Sequence, residues 1–224
     1  MRWEIWEVFY EIICKKLGLN PAADLEAACV LNDLLPDPEL EKLAPLLENR
    51  DCVVFGAGPS LESLPRLRES LEGKTWIAAN GATSFVMKHR NPDVIVTDLD
   101  GKVEDQLEAW SRGAWLVIHA HGDNIDQLKK VVPKVRSRVI GTTQVRPFGK
   151  LFNFGGFTDG DRCIFLAYAL GAKTIYLLGM DLEGEIGKYS GKKDPQRKRL
   201  KLEICGELLE WLKQRGARMV NLSC

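Results

Sequence analysis

The chain has 224 residues with 31 basic and 31 acidic side chains, so its formal charge is zero and no overall field draws it to nucleic acid or an anionic membrane. That length buries a full core without staples, and the six cysteines, Cys14, Cys29, Cys52, Cys163, Cys205 and Cys224, lie far apart with no C-x-x-C pair, which argues for reduced, packed thiols rather than a zinc ribbon or a disulfide framework. Glu4, Glu7 and Glu11 interrupt the apolar start, excluding an ordinary signal peptide, and no run approaches about eighteen uncharged apolar residues, so a cytoplasmic protein with no membrane span is expected.

Residues 1–50 read as a helical segment. Trp3, Trp6, Phe9, Tyr10, Ile13 and Leu17 recur at helical spacing, Asn20-Pro21 breaks the run, a second helix spans Asp24 to Leu35, and Pro36 and Pro38 introduce a shorter one. The aromatic face serves a packed core or, alternatively, a contact in a homo-oligomer. From Asp51 the pattern changes to short β-branched or apolar runs alternating with helical stretches, which predicts an α/β domain over 51–224 with a mostly parallel open sheet flanked by helices. The predicted strands are Cys52–Phe55, Trp76–Ala79, Val94–Thr97, Trp115–His119, Arg138–Ile140, Thr174–Leu178 and Arg218–Val220. Helices are predicted over Leu61–Glu72, Ala82–Lys88, Val103–Trp110, Ile125–Val132, Arg162–Leu170 and Leu200–Arg215. In such sheets ligands collect beyond the carboxyl ends of the strands, so the following loops are where chemistry is sought.

The first loop, Gly56-Ala57-Gly58-Pro59-Ser60-Leu61, has two glycines for close backbone approach and Pro59 at a first helical position, an arrangement suited to a phosphate or simply a tight turn. It is not the dinucleotide fingerprint, since Leu61 holds the third glycine position and no acid ends the next strand near Ala79. Asn80-Gly81-Ala82-Thr83 again joins strand to helix and offers an amide and a hydroxyl. In Thr97-Asp98-Leu99-Asp100-Gly101, two carboxylates two residues apart at a strand end can face one side, and hard oxygen ligands suit magnesium, although Asp100 also suits a turn or cap. His119-x-His121-x-Asp123 suggests zinc, but His89 is the only further histidine, so Asp123 as a third magnesium ligand is more economical. Gly155 and Gly156 precede Asp159, Gly160, Asp161 and Arg162 at a helix start, a density that implies close backbone contact. Asp181 follows the strand ending at Leu178, where it can read a heterocycle or act as a cap. The basic stretch 187–199, with Lys192 among its cations, is either a solvated loop or a flap that closes on a polyphosphate.

Taken in order, FGAGPSLE (55–62), AANGAT (78–83), PDVIVTDLDG (92–101), HAHGDN (119–124), FGGFTDGDR (154–162) and LLGMDLEG (177–184) resemble the archaeal 6-hydroxymethyl-7,8-dihydropterin pyrophosphokinase family and, more distantly, thiamine pyrophosphokinase. The resemblance covers roughly residues 50–224 and leaves the N-terminal segment outside it. It implies transfer of a diphosphate from ATP to the hydroxymethyl group of a reduced pterin with release of AMP, in a cytoplasmic enzyme of small-molecule substrates. By the same resemblance Asp98, Asp100 and Asp123 hold magnesium and are catalytic. Gly56, Gly58, Pro59, Ser60, Asn80, Gly81, Gly155, Gly156 and Lys192 contact ATP, and Asp159, Asp161 and Asp181 serve the pterin or support the metal ligands. Gly101 and Thr97, where thiamine pyrophosphokinases carry serine and glycine, speak against thiamine as substrate. A strand followed by G-x-G-P-S-L also resembles sialyltransferase-like and flagellin-modification proteins, which makes a nucleotide-sugar glycosyltransferase the alternative; those proteins need no paired strand-end aspartates.

Overall fold

The structure, a computed structural model, describes residues 1–182 and 194–223; Lys192 and the greater part of the expected flap lie outside the described residues. The strands β1 (Asp51–Phe55), β2 (Thr75–Ala79), β3 (Val94–Thr97), β4 (Trp115–Ala120), β5 (Val139–Thr143), β6 (Leu151–Phe152), β7 (Thr174–Leu178) and β8 (Met219–Asn221) form one sheet in the order β6-β5-β4-β3-β2-β1-β7-β8. Every pairing in it is parallel. The helices are α1 (Trp3–Leu17), α2 (Pro21–Leu34), α3 (Leu40–Leu43), α4 (Leu64–Leu67), α5 (Thr83–Val86), α6 (Val103–Ser111), α7 (Ile125–Val131), α8 (Asp159–Ala169) and α9 (Pro195–Lys213). The α/β expectation with its N-terminal helices is therefore met.

A parallel sheet covered on both faces needs apolar residues pointing both ways. Along β1 and β2, Cys52, Val54, Ile77 and Ala79 enter one core, while Val53, Phe55, Trp76 and Ala78 enter the other with Leu61, Leu64 and Leu71. The N-terminal helices lie on the first of these. Trp6, Tyr10, Ile13 and Leu17 of α1 and Ala27, Ala28 and Leu31 of α2 are buried in the same core as β4 and α8, so the aromatic stripe is used in packing. Gly18, left-handed at φ 62°, ends α1, and Asn20 caps α2 by accepting the Ala22 N–H. Val8 and Ile12, on the outer side of α1, stay exposed.

Three local expectations shift. The helix expected over Leu61–Glu72 is broken into 3-10 turns around the short α4, which contains Pro65. Arg138 takes a left-handed φ of 50°, so β5 starts after it. β6, only two residues long, is too short to leave a periodic signal.

The chain walks outward from β1 to β6 and then returns to the other side of β1 with β7 and β8, so the strand order reverses between β1 and β7. No helix among the described residues is long and apolar enough to cross a membrane.

Candidate active site

The loops after β2 and β3 and the start of α8 converge on Asn80. Its amide nitrogen donates to Asp98 Oδ1 at 2.8 Å and to Asp159 Oδ2 at 3.1 Å, and also reaches Asp100 Oδ1. Its orientation is fixed by what its oxygen receives: Gln106 Nε2 at 2.9 Å and Thr97 Oγ1 at 3.3 Å. Asn80 holds a left-handed φ of 36°, and Leu99, between the two aspartates, one of 66°. Such conformations persist only where the surroundings over-determine them. At Gly101 a Cβ would fall 2.5 Å from Asn80 Oδ1, which explains a glycine next to the paired acids.

Carboxylate oxygens of Asp98, Asp100 and Asp159 lie within 4.8 Å of one another. An amide nitrogen has two hydrogens, so it cannot satisfy three carboxylates at once. Three carboxylate oxygens converging on one shared amide are a donor set that fits a hard divalent cation. Asp123, expected with Asp98 and Asp100, lies apart from this group, exposed in the wall of the same cleft. Asp159, expected to serve the pterin or support the metal ligands, joins it.

His121 and Arg162 hold the cluster from two sides. The Asp123 N–H donates to His121 Nδ1 at 3.3 Å, and the other ring nitrogen, Nε2, lies 3.3 Å from Asp98 Oδ2. The buried Arg162 places a guanidinium nitrogen 3.5 Å from Asp159 Oδ1. Burial alone would raise the pKa of Asp98, but its bonds with His121 and Asp100 and the charge of Arg162 outweigh this and hold the carboxyl below the usual range. Asp159 goes the other way: burial, then the charge of Asp98, push it up to about 8 against the pull of Arg162. His119, fully buried behind the cluster and bonded to Thr142 Oγ1 at 3.1 Å, is driven well below the ordinary histidine value by desolvation and then by Arg162, and stays neutral.

In front of Asp98 and Asp100 opens a cleft of about 810 Å³. Its lining mixes the apolar Val103 and Leu107 with the basic Lys130 and Lys134, from α7 and the turn after it, and Arg197, Lys198 and Lys201 from α9, and with the further acids Glu104, Asp123 and Asp194.

The glycine-rich loop after β1 is differently employed. Gly58 N–H donates to Gly179 O at 2.8 Å, and Ser60 donates from its N–H and its hydroxyl, each at 2.9 Å, to Asp181 Oδ2. A Cβ on Gly58 would sit 2.2 Å from that carboxylate oxygen, and one on Gly56 2.3 Å from Gly179 O. Pro59 starts the 3-10 turn that follows. The donors offered to a phosphate by this loop are here spent on Asp181. Asp161 closes a capping box with Thr158 at the start of α8 and accepts the Phe157 N–H at 3.0 Å. Gly155 and Gly156, at φ 96° and 86°, give the close approach to α8, against the Phe165 ring and the Arg162 backbone. Gly81 lies in the 3-10 turn with Asn80. Sequence reasoning gave no site role to Arg162, Gln106 or Gln144; Arg162 stands in the 154–162 motif, one helical turn from Asp159, whereas Gln106 and Gln144 reach the site through long-range packing with no local motif.

A doubly wound α/β sheet with a carboxylate cluster and a cleft lined by acidic and basic side chains at the carboxyl ends of its strands defines a class of proteins suited to phosphorylated small molecules. Residues 31–186 match the family described as 6-hydroxymethylpterin diphosphokinase MptE-like, and the chain belongs to that family. It is 45% identical over 235 residues to the 6-hydroxymethyl-7,8-dihydropterin pyrophosphokinase of Pyrococcus furiosus, covering 100% of both chains. To the proteins of the same name from Methanothermobacter thermautotrophicus and Methanocaldococcus jannaschii it is 44% and 40% identical, covering 96% and 94% of this chain and 97% and 95% of theirs. Among solved structures, the MAf glycosyltransferase from Magnetospirillum magneticum AMB-1 covers 77% of this chain and 28% of its own at 15% identity and a TM-score of 0.48, a likeness too slight to carry argument.

Proposed function

We propose that the protein is a magnesium-dependent 6-hydroxymethyl-7,8-dihydropterin pyrophosphokinase that moves a diphosphate from ATP to the hydroxymethyl oxygen of the pterin and releases AMP. The observation that carries this reading is the meeting of an acidic cluster and lysine and arginine side chains in one cleft, where a metal-bound polyphosphate has partners of both signs. The names of the full-length relatives support the same choice of substrate.

Asp98, Asp100 and Asp159 would hold the ion, with Asn80 setting their spacing from below. A magnesium ion held there would supply positive charge against the negative charge that builds on the transferred phosphate and the leaving AMP. Lys130, Lys134, Arg197 and Lys201 receive the phosphate tail by charge and hydrogen bonding. Val103 and Leu107 offer a flat heterocycle apolar contact in the cleft. The hydroxymethyl oxygen attacks the β-phosphorus as the bond from that phosphorus to the AMP oxygen breaks, and the electron pair leaves with AMP. The alcohol proton passes to solvent or to the exposed Asp123 carboxylate in the cleft wall. ATP and a reduced pterin are small intracellular molecules, in keeping with a cytoplasmic enzyme.

Incubation of the purified protein with ATP, magnesium and 6-hydroxymethyl-7,8-dihydropterin is expected to yield AMP and pterin diphosphate in equal amounts by chromatography. Asp98→Asn is expected to abolish both products. ADP in place of AMP would overturn diphosphate transfer.

A further inference from the structure

The N-terminal helices have no part in the resemblance carried by the loops, yet one buried acid in them reaches the cluster twice. Asp24, in the first turn of α2, accepts three hydrogen bonds from beyond its own helix. Its Oδ2 receives Tyr10 Oη at 2.5 Å and Gln144 Nε2 at 2.7 Å, and its Oδ1 receives the Gly122 backbone N–H at 2.8 Å. Each oxygen begins a path to a different carboxylate of the site. From Oδ2 the path runs through Gln144, whose Oε1 accepts from Arg162 at 3.3 Å, to the ion pair of Arg162 with Asp159. From Oδ1 it runs through Gly122 to the adjoining His121, whose Nε2 meets Asp98. Gly122 itself is pressed onto α2, since a Cβ there would lie 2.7 Å from Ala23 Cβ.

We propose that Asp24 is a positioning residue for the metal site, fixing the separation of Asp98 and Asp159 and so the affinity of the site for its ion; this rests on the reading of Asp98, Asp100 and Asp159 as a magnesium site. An acid that served only to hold α2 in place would need its own bonds satisfied and nothing more. Asp24 instead ties its two oxygens to the supports of two separate ligands, and each tie is rigid. Gln144 cannot turn, because its backbone carbonyl accepts Trp6 Nε1 at 2.8 Å while its amide spans Asp24 and Arg162. Arg162 is buried, and its planar fork fixes where Asp159 can stand. Partners of this kind behind metal ligands commonly govern affinity as strongly as they govern orientation. The α1–α2 layer is on this view part of the metal site.

The test is Mn2+ binding to the full-length protein without nucleotide, followed by the electron paramagnetic resonance signal of free Mn2+, together with melting temperatures. Asp24→Asn keeps an acceptor for Gly122 but sets an amide NH2 against the Gln144 NH2, and it is expected to weaken Mn2+ binding about tenfold or more. Gln144→Met cuts the Arg162 path alone and is expected to weaken binding in the same direction by less. Tyr10→Phe removes the other bond to Oδ2 but leaves both paths to the cluster in place, and it is expected to lower the melting temperature while weakening Mn2+ binding less than Gln144→Met does. Wild-type affinity in both Asp24→Asn and Gln144→Met would overturn the inference while leaving the metal reading intact. Absence of Mn2+ binding by the wild-type protein would overturn the metal reading and this inference with it. Should Asp24→Asn fail to fold, Gln144→Met decides.

Discussion

Two loop clusters occupy the carboxyl edge of the sheet, and they solve the same electrostatic problem in opposite ways. At the reversal of strand order between β1 and β7, glycines and N-terminal donors meet an acid from the protein itself: Asp181 takes the Ser60 N–H and hydroxyl, and the Gly58 N–H goes to Gly179. Around β2 and β3, acids converge with too few donors, and the space before them opens into a cleft. A glycine-rich turn after a strand is therefore no proof of a ligand. What distinguishes the second cluster is unsatisfied charge.

The comparison is broken most directly at its two aspartates. Asp159→Asn removes a charge of the cluster and is expected to lower kcat/KM by roughly a thousandfold, the equivalent of several kcal/mol of charge stabilisation. Asp181→Ala is expected to lower the melting temperature, at a cost of about 1–2 kcal/mol for the lost hydrogen bonds, and to leave kcat near wild type. An Asp181→Ala protein of full stability and no activity would return the β1–β7 crevice to the ligand.

A finer contrast lies in two glycines. Gly58→Ala forces a methyl group onto the Asp181 carboxylate and is expected to destabilise the fold by about 1–3 kcal/mol with metal affinity unchanged. Gly101→Ala pushes against Asn80 Oδ1 and is expected to weaken Mg2+ binding several-fold while costing less stability, measured by calorimetric titration and thermal melting. Equal effects of the two on metal binding would erase the distinction.

The smallest effect is a pH dependence of the metal-free protein. Folded Asp159 keeps its proton up to about 8, whereas the unfolded chain loses it near 3.8. This contribution is therefore fully present below 3.8 and is lost as pH rises toward about 8. Asp98, held below the usual range, contributes in the opposite sense, and its share is lost only as acid brings the pH down through its folded value. In EDTA the melting temperature is expected to fall between about pH 5 and pH 8 more steeply than in Asp159→Asn, and magnesium is expected to restore it at the upper end.

The sheet is legible in the sequence because strands buried on both faces leave runs such as Cys52–Phe55 and Val94–Thr97 that nothing else explains. Pro65 in the expected helix carries the physical reason for its interruption, while the two residues of β6 carry no pattern. Within the site, Asp98 and Asp100 can be paired from their spacing because a single strand end holds both. Asp159 cannot be joined to them in that way. Its meeting with Asn80, 79 positions earlier, depends on where the crossover into α8 lays the helix across the sheet. Asp24 and Gln144 are further still from any motif, since their roles consist entirely of contacts between distant segments.

The two ends of the sheet have a consequence for its behaviour in a crowded solution. β6 has two residues and β8 three, so an incoming strand would find only a few unpaired amides and carbonyls to copy at either edge. A continuous parallel sheet whose inner strands run to six residues would make a ready template for aggregation if it stopped abruptly at full length. Among the described residues the ladder tapers, so neither edge offers a full-length strand to copy.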